Sequence, residues 1–261
     1  MDDLPIEIFQ EIVLIAAKNQ PTAISLVLVS KMVNAWITPG LYKTVHLLTR
    51  LQVSLLQRTL AGESGSALAS HINHVYMDDF TAELGRLMSA LCTNITMVVV
   101  PQSTFHELLY FNPKCGVPWL TITGLLRVVH GYNLPVMKTV THLRCTRDTP
   151  NQQFSPQVHK LSLTHFSCCY WPIDHITMHQ FLPYNLAKLL DTEIQAVVVC
   201  VDLRGQYKYT TQAKIQETLE NLSQLERQDK RVLVVRSMDR VEGMDDEEFW
   251  SYVEAAIAEK E

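Results

Sequence analysis

The sequence predicts a small N-terminal helical module followed by a repeated α/β array, a solenoid with a mostly parallel sheet, and three observations predict it. The first is the apolar content of the opening residues. From Ile6 to Ala17 nine of twelve residues are apolar, whereas a surface helix needs only one apolar stripe to meet its own core. The second is a pattern of apolar, two variable, apolar, one variable, apolar that returns eight times from residue 42 onward, the last copy departing with Lys230 at its first position, each copy short enough to be a strand. The third lies between the copies, where stretches such as Leu51 to Leu60 carry helical spacing. Strand, helix, strand repetition makes a parallel sheet with one face covered by helices.

The N-terminal module begins with Asp2 and Asp3 near the positive end of a helix, Pro5 in its first turn and Glu7 within reach of free backbone donors. A second helix is expected from Pro21, with six of seven residues apolar between Ala23 and Val29. A third, containing Lys31, Asn34 and Trp36, is expected to stop before Pro39-Gly40. Forty residues rarely stabilise themselves alone, so the apolar excess predicts docking against another chain, the adjoining domain, or both. An ordinary helical hairpin, buried wholly within its own chain, is the alternative.

The segments LPIEIFQEIV, LVLVSKMV and PGLYKTVHL resemble the Leu-Pro-x-Glu opening, the Val-Cys/Ser-Lys centre and the Leu-Tyr/Trp ending of F-box proteins. The match covers about one sixth of the chain, and the flavour is that of fungal F-box proteins whose box lies at the N-terminus and leads into leucine-rich or irregular α/β repeats. The resemblance implies an F-box over residues 1–45 and a degenerate leucine-rich-repeat-like domain over 46–261. It also implies contact with a Skp-type adaptor, and through it a cullin-RING ligase, by Leu4, Pro5, Ile8, Ile12, Val29, Leu41 and Tyr42 or the core that supports them. One departure is that Val33 stands where the family often places Trp, with Trp36 later.

The repeat copies are YKTVHL at 42, INHVYM at 72, ITMVVV at 95, VPWLTI at 117, VTHLRC at 140, VHKLSL at 158, IQAVVV at 194 and KRVLVV at 230. Their central residues Val45, Val75, Val98, Leu120, Leu143, Leu161, Val197 and Leu233 are 30, 23, 22, 23, 18, 36 and 36 apart, and the middle steps fit a leucine-rich period. Helices are expected at Leu51 to Leu60, Thr81 to Leu91, Thr104 to Tyr110 and Thr211 to Arg227. Such units stack because none can bury its apolar face alone, leaving an open strand face for a partner. A doubly wound α/β domain is the alternative architecture. Strand alternation points Tyr76, Thr121, Arg144 and Ser162 toward the open face, as candidate contacts to a target protein. The C-terminal segment, with Phe249, Trp250, Val253 and Ile257 in one stripe, is expected to cap the last repeat or to dock another protein.

Composition narrows the function. Hydrophobic residues make up 47% and charged residues 19%, the balance of a packed globule. A net charge of −5 argues against a nucleic-acid surface, which would concentrate Lys and Arg. Six cysteines at 92, 115, 145, 168, 169 and 200 form no Cys-x-x-Cys pair and read as reduced, buried thiols. Neither a basic leader nor an apolar run of about 18 residues is evident, so a cytosolic or nuclear protein away from membranes is expected.

Catalytic signatures are equally sparse. His175 and His179, near Cys168 and Cys169, lack the Glu of a zinc-protease helix, and His71 and His74 open a strand, where neighbouring side chains diverge. The run GESGS at 62–66 misses the spacing of a nucleophile elbow, and no phosphate-cradling glycine loop occurs. No catalytic residue, metal centre or cofactor is therefore expected. The expected function is that of a non-catalytic substrate receptor of a Skp-cullin-F-box ubiquitin ligase. A repeat scaffold with no ligase role and an unrecognised α/β enzyme are the alternatives.

Overall fold

A computed structural model describes residues 4–112, 114, 116–123, 134–146, 161–170, 186–202 and 212–260. It is an α/β fold whose eight described strands follow chain order in a parallel sheet. The chain divides into two compact units: residues 1–96 with 110–115, and residues 97–109 with 116–261.

The first unit opens with three helices, α1 (Ile6–Ala16), α2 (Gln20–Leu26) and α3 (Lys31–Lys43). Their starts follow local chemistry. Asn19 caps α2 by accepting from the Thr22 backbone N–H at 3.1 Å, with Pro21 in the first turn, and Ser30 caps α3 by accepting from Val33. The expected stop before Pro39 is corrected, since α3 runs through Pro39 to Lys43. Losing one helical hydrogen bond at an interior proline costs about 3 kcal/mol. The continuation brings Leu41 onto the core of Val13, Ala23, Val33 and Ile37, and that burial offsets the loss.

From α3 the chain enters β1 (Thr44–Leu47), which pairs in parallel with β2 (His74–Met77). Between them lie α4 (Arg50–Ala61), with a Thr49–Gln52 capping box, and the short α5 (Gly65–Ala69). The GESGS run is thus a turn passing into α5. A Cβ at Gly65 would meet the Leu60 carbonyl oxygen, so close backbone approach explains that glycine. After β2 comes α6 (Ala82–Leu91), capped by Thr81.

The second unit carries β3 (Met97–Pro101), β4 (Trp119–Thr123), β5 (His142–Cys145), β6 (His165–Tyr170), β7 (Ala196–Val201) and β8 (Val232–Val235), each parallel to the next. Unbroken order from β3 to β8 lacks the reversal that defines a doubly wound sheet. Other described elements include 3-10 helices at Gln102–Tyr110, where an ordinary helix was expected from Thr104, at Pro135–Lys138 and at Met238–Arg240, and the helices α7 (Gln212–Gln228) and α8 (Asp246–Ala258).

Seven of the eight expected copies contain a strand, those beginning at 42, 72, 95, 117, 140, 194 and 230. The copy at 158 is corrected: residues 158–160 lie outside the described residues, 161–163 are not strand, and β6 starts at His165. Its central residue is Phe166, which pairs with Leu143 on one side and Val197 on the other. Val75, Val98, Leu120, Leu143 and Phe166 are then 23, 22, 23 and 23 residues apart, a more regular period than the sequence pattern suggests. In the last copy Val232, not Leu233, pairs with Val197.

One residue before each strand the backbone continues the ladder. Thr141 N–H donates to the Pro118 carbonyl and Thr164 N–H to the Thr141 carbonyl, both at 2.9 Å, and their hydroxyls donate to the same oxygens at 3.2 Å. These bonds hold the entrances of β4, β5 and β6 in register and set the following side chains side by side.

Candidate functional site

The N-terminal helices bury little of their apolar surface. Only Val13 of α1 is buried, whereas Leu4, Ile6, Ile8, Ile12 and Ile15 are exposed, as are Ile24, Leu28, Val29 and Met32 farther on. Leu28 is 83% exposed and Val29 67%. Soluble chains leave scattered apolar residues in water, and here such residues are concentrated within 29 positions. Of the seven residues assigned to adaptor contact, Leu4, Pro5, Ile8, Ile12 and Val29 are exposed. Leu41 packs on the helical core and Tyr42 is half-buried, which makes Leu41 a supporting residue. Val33, standing where F-box proteins often place Trp, is buried in that core, and Trp36 meets Phe9 edge to face at 5.8 Å. A groove of about 400 Å³ runs beside α1 and α3, lined among others by Leu14, Ala17, Ile37 and Leu41.

The strand-face candidates separate. Tyr76 of the first unit is half-buried and stacks on His46 at 4.4 Å. In the second unit the expectation of an open face is corrected, because α8 lies over it. Phe249, Trp250 and Val253 pack against Ala196, Val198, Cys200, Leu233 and Val235, so the stripe read as a repeat cap faces the strands. Thr121 and Arg144 point to that face but are covered: the Thr121 hydroxyl donates to Asp246 Oδ2, and Arg144 Nη1 donates to Asp246 Oδ1 at 2.7 Å. Ser162 is exposed but precedes β6 and belongs to no strand. The face is covered because apolar strand positions 196, 198 and 233 and an amphipathic helix bury each other more favourably than either meets water.

The second unit also contains residues that the sequence reading passed over. His142 and His165 stack across β5 and β6 with ring centroids 4.1 Å apart, and Trp250 meets both rings edge on. Burial pushes the His142 imidazolium down to about 4, helped by His165, and lowers His165 as well, so both rings are neutral at pH 7. A signal was present in the sequence: a Thr-His pair recurs at a 23-residue step, at 141–142 and 164–165.

His175 and His179, which the sequence places near Cys168 and Cys169, lie outside the described residues. Cys168 and Cys169 are successive on β6 and project to opposite faces. Cys92, Cys145, Cys168 and Cys200 are buried and Cys169 half-buried, none in a disulfide. Burial pushes the Cys145 thiol up to about 12, which leaves it protonated and unreactive at neutral pH. No described helix is long and apolar enough to cross a membrane.

No protein-family model matches the chain, and no curated protein sequence is significantly similar to it.

Proposed function

We propose that this chain is a substrate-recognition subunit of a Skp-cullin-F-box ubiquitin ligase, in which residues 1–45 dock to a Skp-type adaptor and the repeat domain selects a target protein. The observation that carries the reading is the apolar surface of α1 and α2. A module with a four-residue buried core leaves Leu4, Ile8, Ile12 and Val29 in water, at positions that resemble the F-box adaptor contacts, with Leu28 exposed beside them. Covering that surface with a partner would contribute roughly 25 cal/mol for each Å² of apolar area removed from water. The chain itself then performs no bond chemistry. It raises the effective concentration of a target lysine near activated ubiquitin, which the partner enzymes transfer. With Thr121 and Arg144 beneath α8, target capture falls to surfaces that remain accessible, such as those around Tyr76 and Ser162.

The test is co-expression with a Skp-type adaptor followed by pull-down. Wild type is expected to co-purify with the adaptor, and the double variant Ile8→Asp, Ile12→Asp to be lost from the complex while remaining folded. A wild-type chain that never retains the adaptor overturns the ligase reading and favours a scaffold with no ligase role.

A further inference from the structure

Two thiols meet near the carboxyl ends of β6 and β7. Cys169 and Cys200 are paired across these parallel strands, each one residue from its strand's end. Alternation places them on the same face, where Cys200 is buried in the apolar cluster beneath α8 and the half-buried Cys169 packs against that cluster. The Cys169 proton is shared between two acceptors, the Thr146 carbonyl oxygen at 3.3 Å and the Cys200 sulfur. Ser167 also hydrogen-bonds to Cys200, and the Arg144 guanidinium stands near it. Hydrogen bonding from Cys169, then from Ser167 and the arginine charge, holds the Cys200 thiol below its usual range against the opposing effect of burial. Cys169 moves the other way, because its bond to Cys200 and its burial keep it protonated.

We propose that Cys169 and Cys200 form a reversible oxidation site, a dithiol that a hydroperoxide converts to a disulfide and a small thiol reopens. Paired strands stand about 4.8 Å apart, inside the Cα separation of about 4.4–6.8 Å that disulfides span. In the first step the Cys200 thiolate attacks one peroxide oxygen, the O–O bond breaks, and Cys200 sulfenic acid and hydroxide result. In the second the Cys169 sulfur attacks the sulfenic sulfur, and its proton leaves with the hydroxyl as water. The two sulfurs lose the electron pair that the peroxide gains. Closing the bond draws the Cβ atoms to about 3.8 Å, nearer than the strand spacing, and that strain keeps the disulfide readily reducible. A second pair serves as an internal control. One position beyond the paired Arg144 and Ser167, the register brings Cys145 opposite Cys168 on the other face, but burial pushes Cys145 up to about 12 and keeps it protonated.

The experiment treats the full chain, first reduced and then freed of reductant, with hydrogen peroxide. Remaining thiols are blocked with N-ethylmaleimide, and the unreduced tryptic digest is read by mass spectrometry. A peptide pair joined through Cys169 and Cys200 is expected, and dithiothreitol should abolish it. Because Cys168 adjoins Cys169, Cys168→Ser is run alongside and should keep the crosslink, as should Cys145→Ser. Cys169→Ser, at a half-buried position, should lose the crosslink and leave Cys200 as a sulfenic acid that dimedone labels. Folded wild type that forms no such crosslink, a Cys145–Cys168 bond in its place, or a crosslink that survives Cys169→Ser would each overturn the site.

Discussion

Arg144 and Asp246 form a buried ion pair, 2.7 Å from Nη1 to Oδ1, with side chains 11% and 5% exposed, that fastens the first turn of α8 to β5. Asp246 also accepts from the Thr121 hydroxyl, and its charge stands at the positive end of the helix. The guanidinium lies 4.0 Å over the Phe249 ring. Asp246→Ala strands the arginine charge beneath the helix and is expected to cost about 3–5 kcal/mol in urea unfolding. Replacing both partners, Arg144→Met with Asp246→Leu, should recover much of that loss, because no unpaired charge remains.

The helix itself is expected to be indispensable to the second unit. Trp250 is buried against His142, His165 and Phe249. Trp250→Ala should cost about 3–5 kcal/mol, whereas Ser251→Ala, one residue on and exposed, should stay within about 0.5 kcal/mol. Chemical denaturation of the two variants in parallel checks the contrast. Deleting residues 245–261 would expose the apolar strand positions of β7 and β8, and the truncated chain is expected to aggregate, as size-exclusion chromatography would reveal.

Stability should fall in mild acid. The folded His142 ring has its pKa lowered from 6.5 to about 4, by burial first and then by His165, while Glu254 on α8 partly counters the shift at His165. Below pH 6.5 the unfolded chain binds a proton at position 142 that the folded chain refuses until about pH 4. The contribution is therefore complete above pH 6.5 and lost as pH falls toward 4. Thermal unfolding between pH 7 and 4.5 should show this decline, and His142→Asn should flatten it.

In the N-terminal module adjacent residues of α1 should behave oppositely. Ile12 is 51% exposed and Val13 5%. Ile12→Ala is expected to leave stability within about 0.5 kcal/mol while weakening adaptor capture. Val13→Ala should destabilise the three-helix core by about 1.5–3 kcal/mol, the worth of burying a valine. Hydrogen exchange across residues 6–43 distinguishes the two.

Much of the architecture was legible from residue order because it rests on short-range chemistry. The starts of α2 and α3 follow from Asn19, Pro21 and Ser30, and the eightfold apolar pattern located seven strands, since alternation along a strand is a local property. The miss at 158 has a clear cause. VHKLSL and LTHFSC both satisfy the pattern once cysteine counts as apolar, and only pairing with Leu143 and Val197 selects the second. Local pattern cannot choose register between overlapping matches.

By itself, then, the sequence determined three N-terminal helices with more apolar surface than they can bury and an α/β fold with parallel strands after them. Only the tertiary structure decided what each face meets. The stripe of α8 reads as a cap or as a docking helix, because amphipathicity names a buried face and not its partner. Folding brings Arg144 to Asp246 across 102 positions and His165 to Glu254 across 89, and closes the strand face on which a target had been expected. Contacts at that separation depend on the packing of whole elements, which no local window of residues encodes.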